Sequence, residues 1–164
     1  MKICGVVGWK NSGKTTLLEK LILYLTTEGY KVSSLKHAHH SFDIDFEGKD
    51  SYRHRKAGSK EVLISSNSRW ALIHEIDGKE LSLKELLKKM EKVDLVFVEG
   101  FKNSDISFPK IEICRQVNNK EYIYKNDKNI IALVSETKPS DCDIPFFHIN
   151  DVEEICKFIL DKIY

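Results

Sequence analysis

The chain has 164 residues, 41% hydrophobic and 31% charged, the proportions of a soluble globular protein large enough to bury its own core. Its 26 Lys and Arg against 25 Asp and Glu leave a net charge of +1, so nothing in the bulk charge suggests a nucleic-acid or membrane-surface partner. No apolar run approaches the roughly 20 residues of a membrane helix, and the first residues read as a strand instead of a signal peptide; one cytoplasmic domain over residues 1–164 is expected.

Residues 3–7 (ICGVV) form a short apolar run of the kind a buried parallel strand shows. The next eight, Gly8-Trp9-Lys10-Asn11-Ser12-Gly13-Lys14-Thr15, fill every fixed position of G-x-x-x-x-G-K-[ST]. Two glycines let the backbone turn tightly, and the helix that follows offers its positive end to anionic phosphate. Lys14 is expected against the β- and γ-phosphate oxygens of a nucleoside triphosphate, with the Thr15 hydroxyl on Mg²⁺. Leu17, Leu18, Leu21, Ile22 and Leu25 then recur at helical spacing, and Gly29 is placed to stop the helix. Strand, loop and helix agree, which favours nucleotide binding over a plain Gly-Ser turn.

Residues 31–36 (KVSSLK) read as a second strand, completing a β-α-β unit. The stretch His37 to Asp50 holds three histidines and four acids in fourteen residues. A carboxylate of Asp43 or Asp45 could serve the nucleotide Mg²⁺, or His37, His39 and His40 could form a transition-metal site; a solvated polar loop is the plain alternative. Asp45 at the magnesium is favoured, because that ion takes few protein carboxylates. Residues 50–57 read as a short helix whose Arg53, Arg55 and Lys56 are either a solvated face or a site for a second phosphorylated ligand.

Residues 61–65 and 69–76 suggest an antiparallel hairpin inserted into the sheet, joined by Ser66-Asn67-Ser68 and extending an edge suited to pairing with a second copy. Residues 83–90 form an amphipathic helix begun by a Ser82/Glu85 capping box. Residues 94–100 (DLVFVEG) are a buried strand closed by Glu99, where a phosphate-loop protein places a carboxylate toward Mg²⁺ or the attacking water. Further strands are expected over 109–115, 121–124, 130–134 and 146–149, with a closing helix over 152–163. Thr137-Lys138-Pro139-Ser140-Asp141 hints at guanine recognition, with Asp141 one residue beyond the usual spacing. Cys4, Cys114, Cys142 and Cys156 form no C-x-x-C pair and read as reduced structural thiols.

Together GWKNSGKTTLL, KHAHHSFDIDFEGKDSYRHRKAG, DLVFVEGFK and PKIEICR resemble the MobB family, the molybdopterin-guanine dinucleotide biosynthesis adapter proteins, in register over roughly residues 1–115. The resemblance implies an α/β fold of the P-loop NTPase class, a mostly parallel twisted sheet with helices on both faces, GTP and Mg²⁺ as ligands, and a homodimer. It also implies association with the MobA guanylyltransferase, molybdopterin as a candidate further ligand, and at most slow GTP hydrolysis. Carried onto this chain, the nucleotide-binding residues are Gly8, Asn11, Ser12, Gly13, Lys14, Thr15 and Thr16. The magnesium residues are Thr15, Asp45 and Glu99, and Lys14, Glu99 and Asp45 are the candidates for any hydrolysis. Trp9 stands where some relatives carry a signature lysine, so no loop lysine is expected to cross a dimer. No arginine finger stands out, in keeping with low intrinsic turnover; Arg53 or Arg55 could serve if their helix closed over the site. A small-molecule kinase or ATPase and a metal-delivery GTPase using the histidines are the competing function classes.

Overall fold

The computed structural model describes residues 1–38, 42–101, 104–115 and 121–163, in two compact units: Met1–His37 with Leu83–Tyr164, and Ala38–Ser82 between them in sequence. The first unit is built on a parallel sheet of six strands: β1 (Lys2–Val7), β2 (Val32–Lys36), β5 (Leu95–Glu99), β6 (Lys110–Cys114), β7 (Ile130–Ser135) and β8 (Phe146–His148). Their order is β2-β5-β1-β6-β7-β8, with every neighbouring pair parallel. A parallel sheet needs cover on both faces, which is why β1, β5 and β7 read as largely continuous apolar runs, while β6 carries Lys110 and Glu112 between its apolar residues.

Helix α1 (Lys14–Thr27) and helix α4 (Val152–Ile163) cover one face. Leu17, Leu21 and Leu25 of α1 and Ile155, Cys156 and Ile159 of α4 pack with Cys4, Phe97, Ile111, Ile113 and Val134 of the sheet. On the other face, helix α3 (Leu83–Lys89) places Leu83 and Leu87 against Val96, Val98 and Phe108. The α1 terminus is a full Schellman closure: Gly29 takes φ +89°, its N–H bonds the Thr26 carbonyl at 3.1 Å, and the Tyr30 N–H bonds Leu25 at 3.0 Å. Gly29 therefore stops the helix as its sequence position implies.

In the second unit, α2 (Asp50–Lys56) packs on a hairpin of β3 (Glu61–Ser65) and β4 (Trp70–His74), paired antiparallel with Leu63 opposite Leu72. The Ser66 N–H closes the turn on the Arg69 carbonyl at 2.8 Å. Among the described residues this hairpin is a two-stranded sheet of its own, and not the edge extension of the parallel sheet expected from its sequence. Its pairing is satisfied internally, and its Val62 face is buried.

One expected strand is absent. Residues 121–124 lead into a 3₁₀ turn over Ile123–Lys125. The N–H groups of Ile123 and Tyr124 go to the Glu112 carboxylate at 2.9 and 2.8 Å instead of to a strand ladder. Side chains of high β propensity were outweighed by a buried acceptor.

Candidate phosphate-binding site

β1 lies between β5 and β6, with the sequence-adjacent β2 displaced to one side and β6 to the other, so the chain reverses direction across the sheet at the carboxyl end of β1. Open α/β sheets bind ligands at such a switch point. The loop Gly8 to Gly13 leaves β1 there and enters α1 at Lys14. Three of its residues have positive φ: Gly8 at 150°, Asn11 at 64° and Gly13 at 89°. Gly8 also has no room for a side chain, since a Cβ would lie 2.3 Å from the Ile113 carbonyl oxygen and 2.7 Å from Ser12 Oγ.

Lys14 Nζ folds over the loop and donates to the carbonyls of Gly8 at 2.9 Å and Trp9 at 2.7 Å. Ser12 is 4% exposed, and its Oγ has no hydrogen-bond partner among the described residues. A buried hydroxyl without a partner is costly, and an anion seated in the loop would supply one. Thr15 and Thr16 stand exposed in the first turn of α1. Trp9 is tied outside the loop, its indole Nε1 donating to the Glu121 carbonyl at 3.0 Å.

The parallel register sets Val6 beside Glu99, so the carboxylate expected from DLVFVEG stands at the edge where the loop begins. Lys36 Nζ lies 3.8 Å from its Oε2. Behind it the chain turns through two more positive φ values, Gly100 at 95° and Phe101 at 53°. The His37 N–H donates to the Glu99 carbonyl at 2.8 Å, and the His37 ring stacks 4.8 Å from Phe101. His37 thus serves as packing for this turn.

On the other side of β1, β6 delivers Arg115, which the sequence reading passed over. A Cβ at Gly13 would sit 3.3 Å from Arg115 Nε and 3.5 Å from its Cζ, so the guanidinium lies across the loop residue preceding Lys14. Glu136 Oε1 pairs with Nε at 3.5 Å. In the sequence Arg115 shows only as the residue closing a strand, as Glu99 does; that its strand lies beside the loop strand is set by the sheet order. Glu112, 0% exposed in the same strand, has its carboxyl raised above the usual range by burial, against the pull of the Ile123 and Tyr124 N–H groups.

Asp45 belongs to the second unit, buried, with Oδ1 2.6 Å from Arg55 Nη2. The same guanidinium meets Asp43 Oδ1 at 2.7 Å and Glu75 Oε1 at 3.2 Å, so Arg55 is the hub of a three-acid cluster. Its hydrogen bond holds the Asp45 carboxyl below its ordinary range despite desolvation. Asp45 Oδ2 is buried with no partner among the described residues. Lys56 Nζ sits 5.3 Å from the Tyr52 ring centroid. His39 and His40 lie outside the described residues; among those described, no group of three His, Cys, Asp or Glu could hold a metal ion. Asp141, considered for guanine recognition, pairs with Lys125 at 2.5 Å, which holds its carboxyl low.

Chemically, a helix N-terminus, an ammonium and a guanidinium converge on the loop, an arrangement suited to a polyanion. Thr15 and Glu99 offer oxygen donors for a hard divalent cation.

The family model described as "Molybdopterin guanine dinucleotide synthesis protein B", MobB, matches residues 3–136. The chain is 40% identical over 157 residues to the molybdopterin-guanine dinucleotide biosynthesis adapter protein of Escherichia coli K12, covering 93% of this chain and 88% of that one. It is 40% identical over 159 residues to the protein of the same name from Haemophilus influenzae, covering 96% and 86%. The crystal structure of Bacillus subtilis MobB is similar with a TM-score of 0.74 at 26% identity, over 100% of this chain and 99% of that one.

Proposed function

Since the chain belongs to the MobB family, we propose that it is an adapter of molybdopterin-guanine dinucleotide biosynthesis that binds GTP with Mg²⁺ at the loop Gly8 to Thr16 and assists a guanylyltransferase. The adapter role is what its relatives of 40% identity are named for. The observation that carries the nucleotide is the loop itself: a strand-to-helix turn at the sheet's switch point, with Lys14 over it and a buried, unpartnered Ser12 hydroxyl inside it.

In this reading the loop backbone and the Lys14 ammonium bind the β- and γ-phosphates, with Asn11, Ser12 and Gly13 shaping the turn. Bound Mg²⁺ would neutralise phosphate charge. Thr15 and Glu99 are its proposed ligands in the first unit; Asp45 in the second unit has Oδ2 uncommitted, and its part is tested below. Glu99 is the candidate for orienting water in slow hydrolysis, which fits an accessory protein better than a fast enzyme. A homodimer is part of the proposal: the hairpin turns Leu63, Trp70 and Leu72 outward at 62%, 67% and 44% exposure, and an apolar patch of that kind is usually covered.

The deciding experiment is calorimetric titration with Mg·GTP and Mg·ATP. Saturable one-to-one binding with a clear GTP preference supports the proposal. Preference for ATP would turn it toward a kinase or ATPase, and no triphosphate binding would end the nucleotide assignment.

A further inference from the structure

We infer that Arg115 is a phosphate-binding residue of the loop site, contributed by the strand beside β1. The inference rests on the nucleotide reading above and deepens it.

Three observations lead to it. First, β1 and β6 run parallel in the register Val6 to Ile111 and Val7 to Glu112, so the loop and Arg115 emerge side by side at the carboxyl edge. Second, the guanidinium lies against Gly13, with Nε 3.3 Å and Cζ 3.5 Å from where a Cβ would stand, next to the residue that begins α1. Third, this gathers like charge: the positive end of α1, the Lys14 ammonium and the Arg115 guanidinium share one small region. A cation at a helix N-terminus is electrostatically unfavourable, and a second cation nearby adds to the cost.

Glu136 does not offset that cost. Its contact is a single 3.5 Å approach to Nε between side chains 43% and 58% exposed, a pair of little energetic worth. The placement makes sense where a polyanion completes it. Glu136 Oε1 lies on the Nε side at 3.5 Å, and the planar guanidinium is a fork whose geometry suits phosphate oxygens. The buried Ser12 hydroxyl, unpartnered in the same loop, independently points to a ligand there.

The test compares wild type, Arg115→Ala, Arg115→Lys and Glu136→Gln by calorimetry with Mg·GTP and with magnesium tripolyphosphate, which has phosphates but no base. Arg115 is a surface side chain, so thermal melting of the variants should match wild type. Arg115→Ala is expected to weaken both ligands by the same factor, roughly tenfold to a hundredfold for a charged hydrogen-bonded pair. Arg115→Lys should recover part of the loss, because charge returns without the fork. Glu136→Gln should change affinity for both ligands far less than Arg115→Ala does, because the pair it removes is weak and exposed. Unchanged affinity in Arg115→Ala would overturn the inference alone and leave the loop reading standing. A loss confined to GTP would also overturn it, moving the contact to base or ribose. Failure of wild type to bind either ligand would remove the loop reading and this inference together.

Discussion

Glu112 and Tyr124 are joined through a carboxylate-to-backbone hydrogen bond of 2.8 Å, in a strand whose five residues are all buried. The other carboxylate oxygen accepts the Ile123 N–H at 2.9 Å. Glu112→Ala would strand two donors and open a cavity, so a loss of about 3 kcal/mol or more in unfolding free energy is expected, measured by urea denaturation. A loss below about 1 kcal/mol would mean that the 3₁₀ turn holds itself.

Gly100 is bound to its conformation twice over. At φ +95°, a Cβ there would meet His37 Cβ at 2.7 Å and the His37 carbonyl oxygen at 3.3 Å. Gly100→Ala should cost about 1 to 3 kcal/mol from strain and displacement of His37. Because Glu99 precedes it, the variant should also weaken Mg·GTP binding, whereas Gly78→Ala, with positive φ but open space around it, should affect stability alone. Thermal melting paired with calorimetry separates the two.

Buried parallel strands carry continuous apolar runs, which is why DLVFVEG could be placed from residues alone with Glu99 at its carboxyl end, whereas PKIEICR was legible through its alternating Ile111 and Ile113. The strand-loop-helix connection from β1 to α1 was legible from its glycines and from the leucine spacing that follows. What escaped was tertiary. The apposition of Arg115 with Gly13 depends on β6 lying next to β1, an order that no short stretch encodes. The 3₁₀ turn at Ile123 depends on a carboxylate eleven residues earlier in the chain. The basic residues of α2 looked alike in sequence, yet Arg55 is drawn into Asp43, Asp45 and Glu75, a role set by how helix and hairpin pack.

That cluster gives a signed pH dependence. Arg55 depresses the Asp45 carboxyl, so the stability contributed by this pair is fully present above the unfolded value near 3.8 and is lost as pH falls through the lower folded value. Acid titration followed by Trp70 emission in a Trp9→Phe background should show the hairpin unit loosening in that range. Asp45→Asn should remove part of the acid dependence while Asp43 and Glu75 still hold Arg55. The same variant tests the magnesium proposal: a rise in the Mg²⁺ needed for GTP binding would keep Asp45 among the ligands, and an unchanged requirement would leave it as the anchor of Arg55.

Lys14 donates to two loop carbonyls and touches the core little, so Lys14→Ala should preserve the melting temperature. Removing a charge that contacts several phosphate oxygens should reduce Mg·GTP affinity by roughly a hundredfold or more. Glu99→Gln should instead raise the Mg²⁺ requirement at nearly constant stability, since its 3.8 Å contact with an exposed lysine is a weak one to lose. Wild-type affinity in Lys14→Ala would sink the loop assignment.

The hairpin bears on the proposed homodimer. A two-stranded sheet is marginal by itself, and this one buries Val62 on one side while Leu63, Trp70 and Leu72 face outward on the other. A second copy would cover that face and add the burial that two strands cannot supply alone. Leu72→Glu places a charge in the middle of the patch at a position already 44% exposed, so the single chain should tolerate it. Light scattering after size exclusion should report a dimer for wild type and a monomer for Leu72→Glu, with Mg·GTP binding retained if the nucleotide site is complete within one chain. A variant that stays dimeric would place the interface on another surface.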